Sequence, residues 1–178
     1  MKRKRNPLLR GLIWTALTTM LLMWGVISLT NGDPLWFVQR FDAQATEITV
    51  YWDGSRHTLS PGDAGYDQVM AAFATAIAKP SGYEGGVAFS PESHSAYRDR
   101  FRLLEVRFAQ PVQVHTRHPY LEASTYLVPL SETHASWRRA FSFPGIVPYS
   151  LGPLNMSPEN FGALVTAVES AVTLAKAD

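Results

Sequence analysis

Arg98, Arg100, Arg102 and Arg107 are the densest group of chemically capable side chains in the sequence. With residues 97–103 extended, the first three point to one face and Tyr97, Phe101 and Leu103 to the other, because successive side chains alternate along a strand. Such a stripe suits carboxylate or phosphate, which a guanidinium meets in fork geometry. It marks Arg98, Arg100 and Arg102 as the candidate surface for an acidic protein partner, anionic headgroups or a polyanionic envelope polymer. The plainer alternative is a solvated face with Asp99 and Glu105 as local counter-charges, of little energetic weight.

The other reactive residues form no recognisable constellation. His115 and His118 would lie on opposite faces of the extended backbone that Val112, Val114 and Pro119 imply, so they do not chelate one ion. His57 sits at a predicted hairpin and His134 beside Glu132, without a partner that sequence assigns. Ser93-His94 lacks the Gly-x-Ser-x-Gly turn that exposes a nucleophile, and a triad requires convergence in space rather than adjacency. Glu84, Glu92, Glu105, Glu122 and Glu132 offer carboxylates for a glycosidase-type pair, as any chain of this size does. Gly85-Gly86 is not followed by the Lys and Ser or Thr of a phosphate loop. The chain has no cysteine, which excludes disulfides, thiolate metal sites and a Cys nucleophile. No metal or cofactor is expected.

These side chains follow an apolar segment. Lys2, Arg3, Lys4, Arg5 and Arg10 precede a charge-free run of 22 residues, Gly11 to Gly32. At 1.5 Å per residue the run spans roughly 30 Å, the hydrocarbon thickness of a bilayer, whereas the core of a cleaved signal covers about 7 to 15 residues. A retained transmembrane anchor over 11–32 is expected, with 1–10 a short basic cytoplasmic tail by the positive-inside rule and 33–178 an extracytoplasmic domain. Cleavage after small residues near Val26 and Ser28 is the alternative. Trp36 is placed for the aromatic belt. Gly11, Thr15 and Thr19 recur at the interval that lets helices approach in a membrane.

Five of the 16 Lys and Arg precede the span and all 15 Asp and Glu follow it, so the domain carries 11 − 15 = −4. An acidic domain is a poor nucleic-acid binder, and topology alone explains the basic tail. The absence of disulfides fits a bacterial exterior better than an animal secretory compartment, and about 145 residues are enough to bury a self-sufficient core.

Within the domain, Ile48, Val50 and Trp52 alternate with polar positions and Asp53-Gly54 follows, the strongest short-range hairpin signal. Ser60-Pro61-Gly62-Asp63 reads as a helix start. Tyr66, Val69, Met70, Phe73 and Ile77 then make one helical stripe that ends before Pro80. Residues 81–95 read as a glycine-punctuated loop. Leu104, Val106 and Phe108 alternate in a strand that Pro111 interrupts, at an edge or an irregularity. Further strands are expected over 120–130 and 137–143, then an irregular stretch around Pro144, Pro148 and Pro153. Ser157-Pro158-Glu159 opens a second helix with the stripe Phe161, Leu164, Val165, Val168 and Val172. Leu35 to Phe41 reads equally as a first strand or a continuation of the anchor.

The expectation is an α+β protein: one N-terminal transmembrane helix, then a single domain with an antiparallel sheet and two amphipathic helices packed on one face. The expected function is a membrane-anchored, non-catalytic accessory or binding module whose partner is another membrane or envelope protein. The alternative is an extracytoplasmic hydrolase using a Glu or His in a cleft near the 82–95 loop. A ligand sensor would have to signal through a partner's helix, because only about ten residues precede the span.

Overall fold

The computed structural model describes residues 7–84, 89–116, 122–143 and 153–176. Residues 2–5, Gly85-Gly86, His118 and residues 144–152, expected to be irregular, fall outside these.

The chain opens with helix α1 (Pro7–Asn31), none of whose residues is buried, long and apolar enough to cross a membrane. Thr30 hides its hydroxyl by bonding back to the Val26 and Ile27 carbonyls at 3.1 and 3.0 Å.

Strands β1 (Glu47–Trp52) and β2 (Ser55–Leu59) form the hairpin that Asp53-Gly54 announces. Both turn residues take positive φ, 50° and 84°, as a tight turn of this kind requires. Helix α2 (Tyr66–Ala78) begins six residues after Ser60, later than the capping pattern suggests. Asp63 instead closes a turn on itself, accepting the Ser60 N–H at 2.7 Å, and left-handed Gly65 caps the helix. A Cβ on Gly65 would sit 2.7 Å from the Ala171 Cβ, so this close approach requires glycine.

The stretch 81–95 is not a loop throughout. It contains strand β3 (Gly82–Tyr83) and the first turns of helix α3 (Pro91–Arg100). The Ser90 side chain accepts the Ser93 N–H at 3.1 Å and Pro91 occupies the first helical turn, which draws 91–100 into a helix. Residues 97–100 are therefore helical rather than extended, and the proposed alternation of Arg98, Arg100 and Arg102 on one strand face does not exist.

Strand β4 (Leu103–Val112) follows, with a register shift between Arg107 and Val112 that accommodates Pro111 inside the sheet. Then come β5 (Ala123–Pro129), the short helix α4 (Glu132–Ser136), β6 (Arg139–Phe143), β7 (Pro153–Asn155) and α5 (Pro158–Ala175). Ser157 caps α5 by accepting the Asn160 N–H, as its sequence predicts. The protein is α+β: the described residues form five helices and one seven-stranded antiparallel open sheet in the order β2-β1-β4-β5-β6-β7-β3.

Alternation along the strands divides the apolar residues in two. Ile48, Val50, Leu104, Val106, Tyr126 and Val128 share one cluster with Val69, Phe73 and Ile77 of α2 and Leu164, Val168 and Val172 of α5. Their neighbours Tyr51, Leu103, Leu127 and Phe141 point to the other side and cluster with Tyr97 of α3 and with Phe89, two residues before that helix.

Candidate functional site

The second sheet face carries charge as well as rings. Glu105 pairs across the sheet with Thr49, and Glu47 with Arg107, so β1 and β4 set these polar side chains on one surface beside Tyr51 and Leu103. Above them α3 projects His94 and Arg98. The Glu105 side chain is only 3% exposed and accepts from Arg98 Nη2 at 2.9 Å and Arg107 Nε at 2.7 Å. Arg107 reaches on to Glu47 at 3.2 Å, and Arg98 lies 5.3 Å from the Tyr51 ring centre. Burial pushes the Glu105 carboxyl up, but His94, Arg98 and Arg107 outweigh it and hold it at about 2. His94 Nε2 stands 3.9 Å away, too far for a hydrogen bond, so the arginines carry most of this effect. A carboxylate ionised to that degree neither donates nor accepts a catalytic proton near neutrality.

Arg102, two residues past α3, points in another direction. It grips Asp53 through Nε at 3.1 Å and Nη2 at 3.0 Å, and lies 4.2 Å from the Trp52 ring centre. The same bond holds the Asp53 carboxyl below its ordinary range. Of the three arginines read as a binding stripe, Arg98 is thus turned inward to Glu105, Arg102 is clamped on the hairpin, and Arg100 stays exposed.

Beside this network, His134 of α4 stands between Trp137 and Phe89, with ring centres at 4.8 and 5.4 Å. The Tyr97 hydroxyl donates to the Ser131 carbonyl at 2.9 Å and lies 3.2 Å from His134 Nδ1. Burial, reinforced by the charge of Arg139, pushes the His134 imidazole down. Positive φ at Glu132 and Arg138, 59° and 50°, bends the chain into and out of α4.

The remaining carboxylates do not converge with these groups. Glu84 is tied to Arg139, Glu92 lies exposed in the first turn of α3, and Glu122 and Glu132 are exposed. Among the described residues Glu105 alone of the five glutamates brings a carboxylate oxygen within 4 Å of a histidine ring nitrogen, and no group of three potential metal ligands gathers. An open groove of about 460 Å³ lies between Phe41, Asp42 and Gln44 on one side and Asp67 and Met70 of α2 on the other.

The site that sequence reasoning missed joins α1 to the sheet. Asp33, two residues past α1, is 3% exposed and meets His115 Nδ1 with both carboxylate oxygens, at 3.1 and 3.0 Å. Gln113 donates to the Gly32 carbonyl at 3.4 Å, and Arg40 bridges His115 in an isolated β-bridge. Phe41 then enters the core edge-on to Phe73, Phe108 and Tyr126. The segment 33–41 is thus neither a strand nor a helical continuation, but a strap fixed at both ends. Asp33 and His115 stand 82 residues apart, and no local spacing signals their pairing.

No known family model, curated protein or solved structure matches this chain.

Proposed function

We propose that this chain is a membrane-anchored, non-catalytic module, held by α1 with its domain outside, that presents a fixed surface to another protein of the same membrane or envelope. The observation that carries this reading is the joint between anchor and domain. A domain on a loose tether samples all orientations, whereas the buried Asp33–His115 pair and the Phe41 plug hold this one in a set attitude to α1. A set attitude serves a module that must register with a neighbour embedded in the same bilayer. The mutual pairing of Glu105, Arg98 and Arg107 supports the same reading, since Arg98 and Glu105 are occupied in holding α3 to the sheet and Arg107 in bridging Glu105 to Glu47. Arg100 is the member of the arginine cluster left for an acidic partner.

The test is purification of the full-length chain in mild detergent, beside an Asp33→Ala variant and an Arg100→Ala variant. A membrane protein recovered in fixed stoichiometry, and lost or reduced with Asp33→Ala, supports the proposal. Recovery of the chain alone, combined with turnover of an envelope substrate that His94→Ala abolishes, would replace it with the hydrolase reading.

A further inference from the structure

We infer that residues 34–38 form an apolar hook that inserts into the lipid interface beside α1, giving the domain a second, peripheral hold on the phospholipid bilayer. This rests on the reading of α1 as membrane-spanning.

Three observations point to it. The chain doubles back after α1: Gly32 takes a φ of +65°, and the Trp24 indole N–H donates to the Pro34 carbonyl at 3.1 Å. Trp24 lies seven residues before Asn31, or about 10 Å down the helix, and its side chain leans further toward the amino terminus. An indole reaching Pro34 from there places the hook beside the last turns of α1 rather than beyond its end.

Next, the turn pairs part of its own backbone, four of the nine backbone polar groups of residues 34–38. Pro34 has no N–H and its carbonyl is taken by Trp24. The Leu35 N–H goes to Asp33 Oδ1 at 2.7 Å, and the Leu35 carbonyl accepts the Val38 N–H at 2.8 Å. Exposed backbone in water has no need of such pairing. Each pair lowers the number of groups that need water at the edge of the hydrocarbon, inside which an unpaired group costs several kcal/mol.

Finally, the outward surface is apolar and continuous with the helix. Phe37 is 56% exposed and meets Trp36 edge-on at 5.9 Å, an aromatic pair of the type that settles at headgroup level. Between Gly11 and Gln39 the only charged residue is Asp33, and His115 encloses it. The burial of Asp33 thus has a second consequence: it takes the one charge out of a lipid-facing surface.

The absence of cysteine allows single labels to be placed without altering a native thiol. Full-length Phe37→Cys, Leu21→Cys in α1 and Thr58→Cys on β2 are spin-labelled and reconstituted into vesicles of neutral and anionic phospholipid alone. Accessibility to dissolved oxygen and to a water-soluble nickel complex is then compared. The label at 37 is expected to lose nickel accessibility as the one at 21 does, while 58 stays open to it. Adding Trp24→Phe, which removes the indole donor, should return nickel accessibility to position 37 and leave 21 unchanged. A label at 37 as wet as that at 58, with 21 dry, overturns the hook and leaves the anchor standing. A wet label at 21 overturns the anchor and the hook together.

Discussion

Against one face of the sheet, α2 and α5 lay Val69, Phe73, Ile77, Leu164 and Val168, all fully enclosed. Against the other, α3 buries one apolar side chain, Tyr97, and beside it sets His94 and Arg98 over Glu105. The first face is held by the non-directional exclusion of water, which tolerates small displacements. The second depends on a buried carboxylate that requires its cations in place, because an ion stripped of partners in the interior costs several kcal/mol. The same sheet therefore has a robust side and a conditional side, and the conditional side responds to pH.

The contrast breaks most visibly at Phe73, whose ring packs against Phe41 and Tyr126. Phe73→Ala should cost about 3–5 kcal/mol through lost burial and the cavity left behind, seen as a large drop in the midpoint of thermal unfolding in detergent. Its effect should not vary with pH between 3 and 8.

Glu105 should behave in the opposite way. A carboxyl held at about 2 against an ordinary 4.5 corresponds to at most roughly 3 kcal/mol of stability at neutral pH. Partial exposure of Arg98 and Arg107 discounts this toward 2 kcal/mol. Because the folded value is depressed, this contribution is complete above the unfolded value and lost as pH falls from about 5 toward 2. Glu105→Gln should unfold earlier than the parent at pH 7, and the two midpoints should converge near pH 2. Curves that stay parallel down to pH 2 would show that Glu105 is not the acid-sensitive group.

Ser90→Ala removes the cap of α3 and should cost about 1 kcal/mol. The sharper readout is local: amide exchange should rise over 91–98 and stay unchanged in α2. The equivalent change at Ser157 should be less visible locally, since α5 is held along its length by Leu164, Ala167, Val168, Ala171 and Val172. The smallest effect belongs to Arg102→Ala. Its pair with Asp53 is exposed, so loss of the ion pair and the Trp52 stack should cost under about 1 kcal/mol, a difference that should shrink as salt is added.

The two faces also differ in how far they were legible. The stripe from Tyr66 to Ile77 and the one from Phe161 to Val172 repeat with helical spacing, and the Asp53-Gly54 hairpin is specified by residues that touch one another in sequence. The second face lacks a comparable pattern. The α3 helix was readable in one respect, since Ser90-Pro91-Glu92 repeats the grammar of Ser157-Pro158-Glu159, but the glycines before it and the four charges within it masked the signal. Glu105 and Arg107 alternate with Leu104 and Val106 as a solvated face would, and only the helix lying above them makes that face an interior.

Local chemistry was therefore enough to determine the apolar segment, the hairpin, the two striped helices and the α+β class, because each depends on neighbours within about a dozen residues. Tertiary structure alone decided what the charges do. Arg98 meets Glu105 across seven residues, Arg102 meets Asp53 across 49, and Asp33 meets His115 across 82. An arginine in sequence is the same residue whether it faces water, a partner or a buried carboxylate, and the difference lies in which surface the fold brings over it.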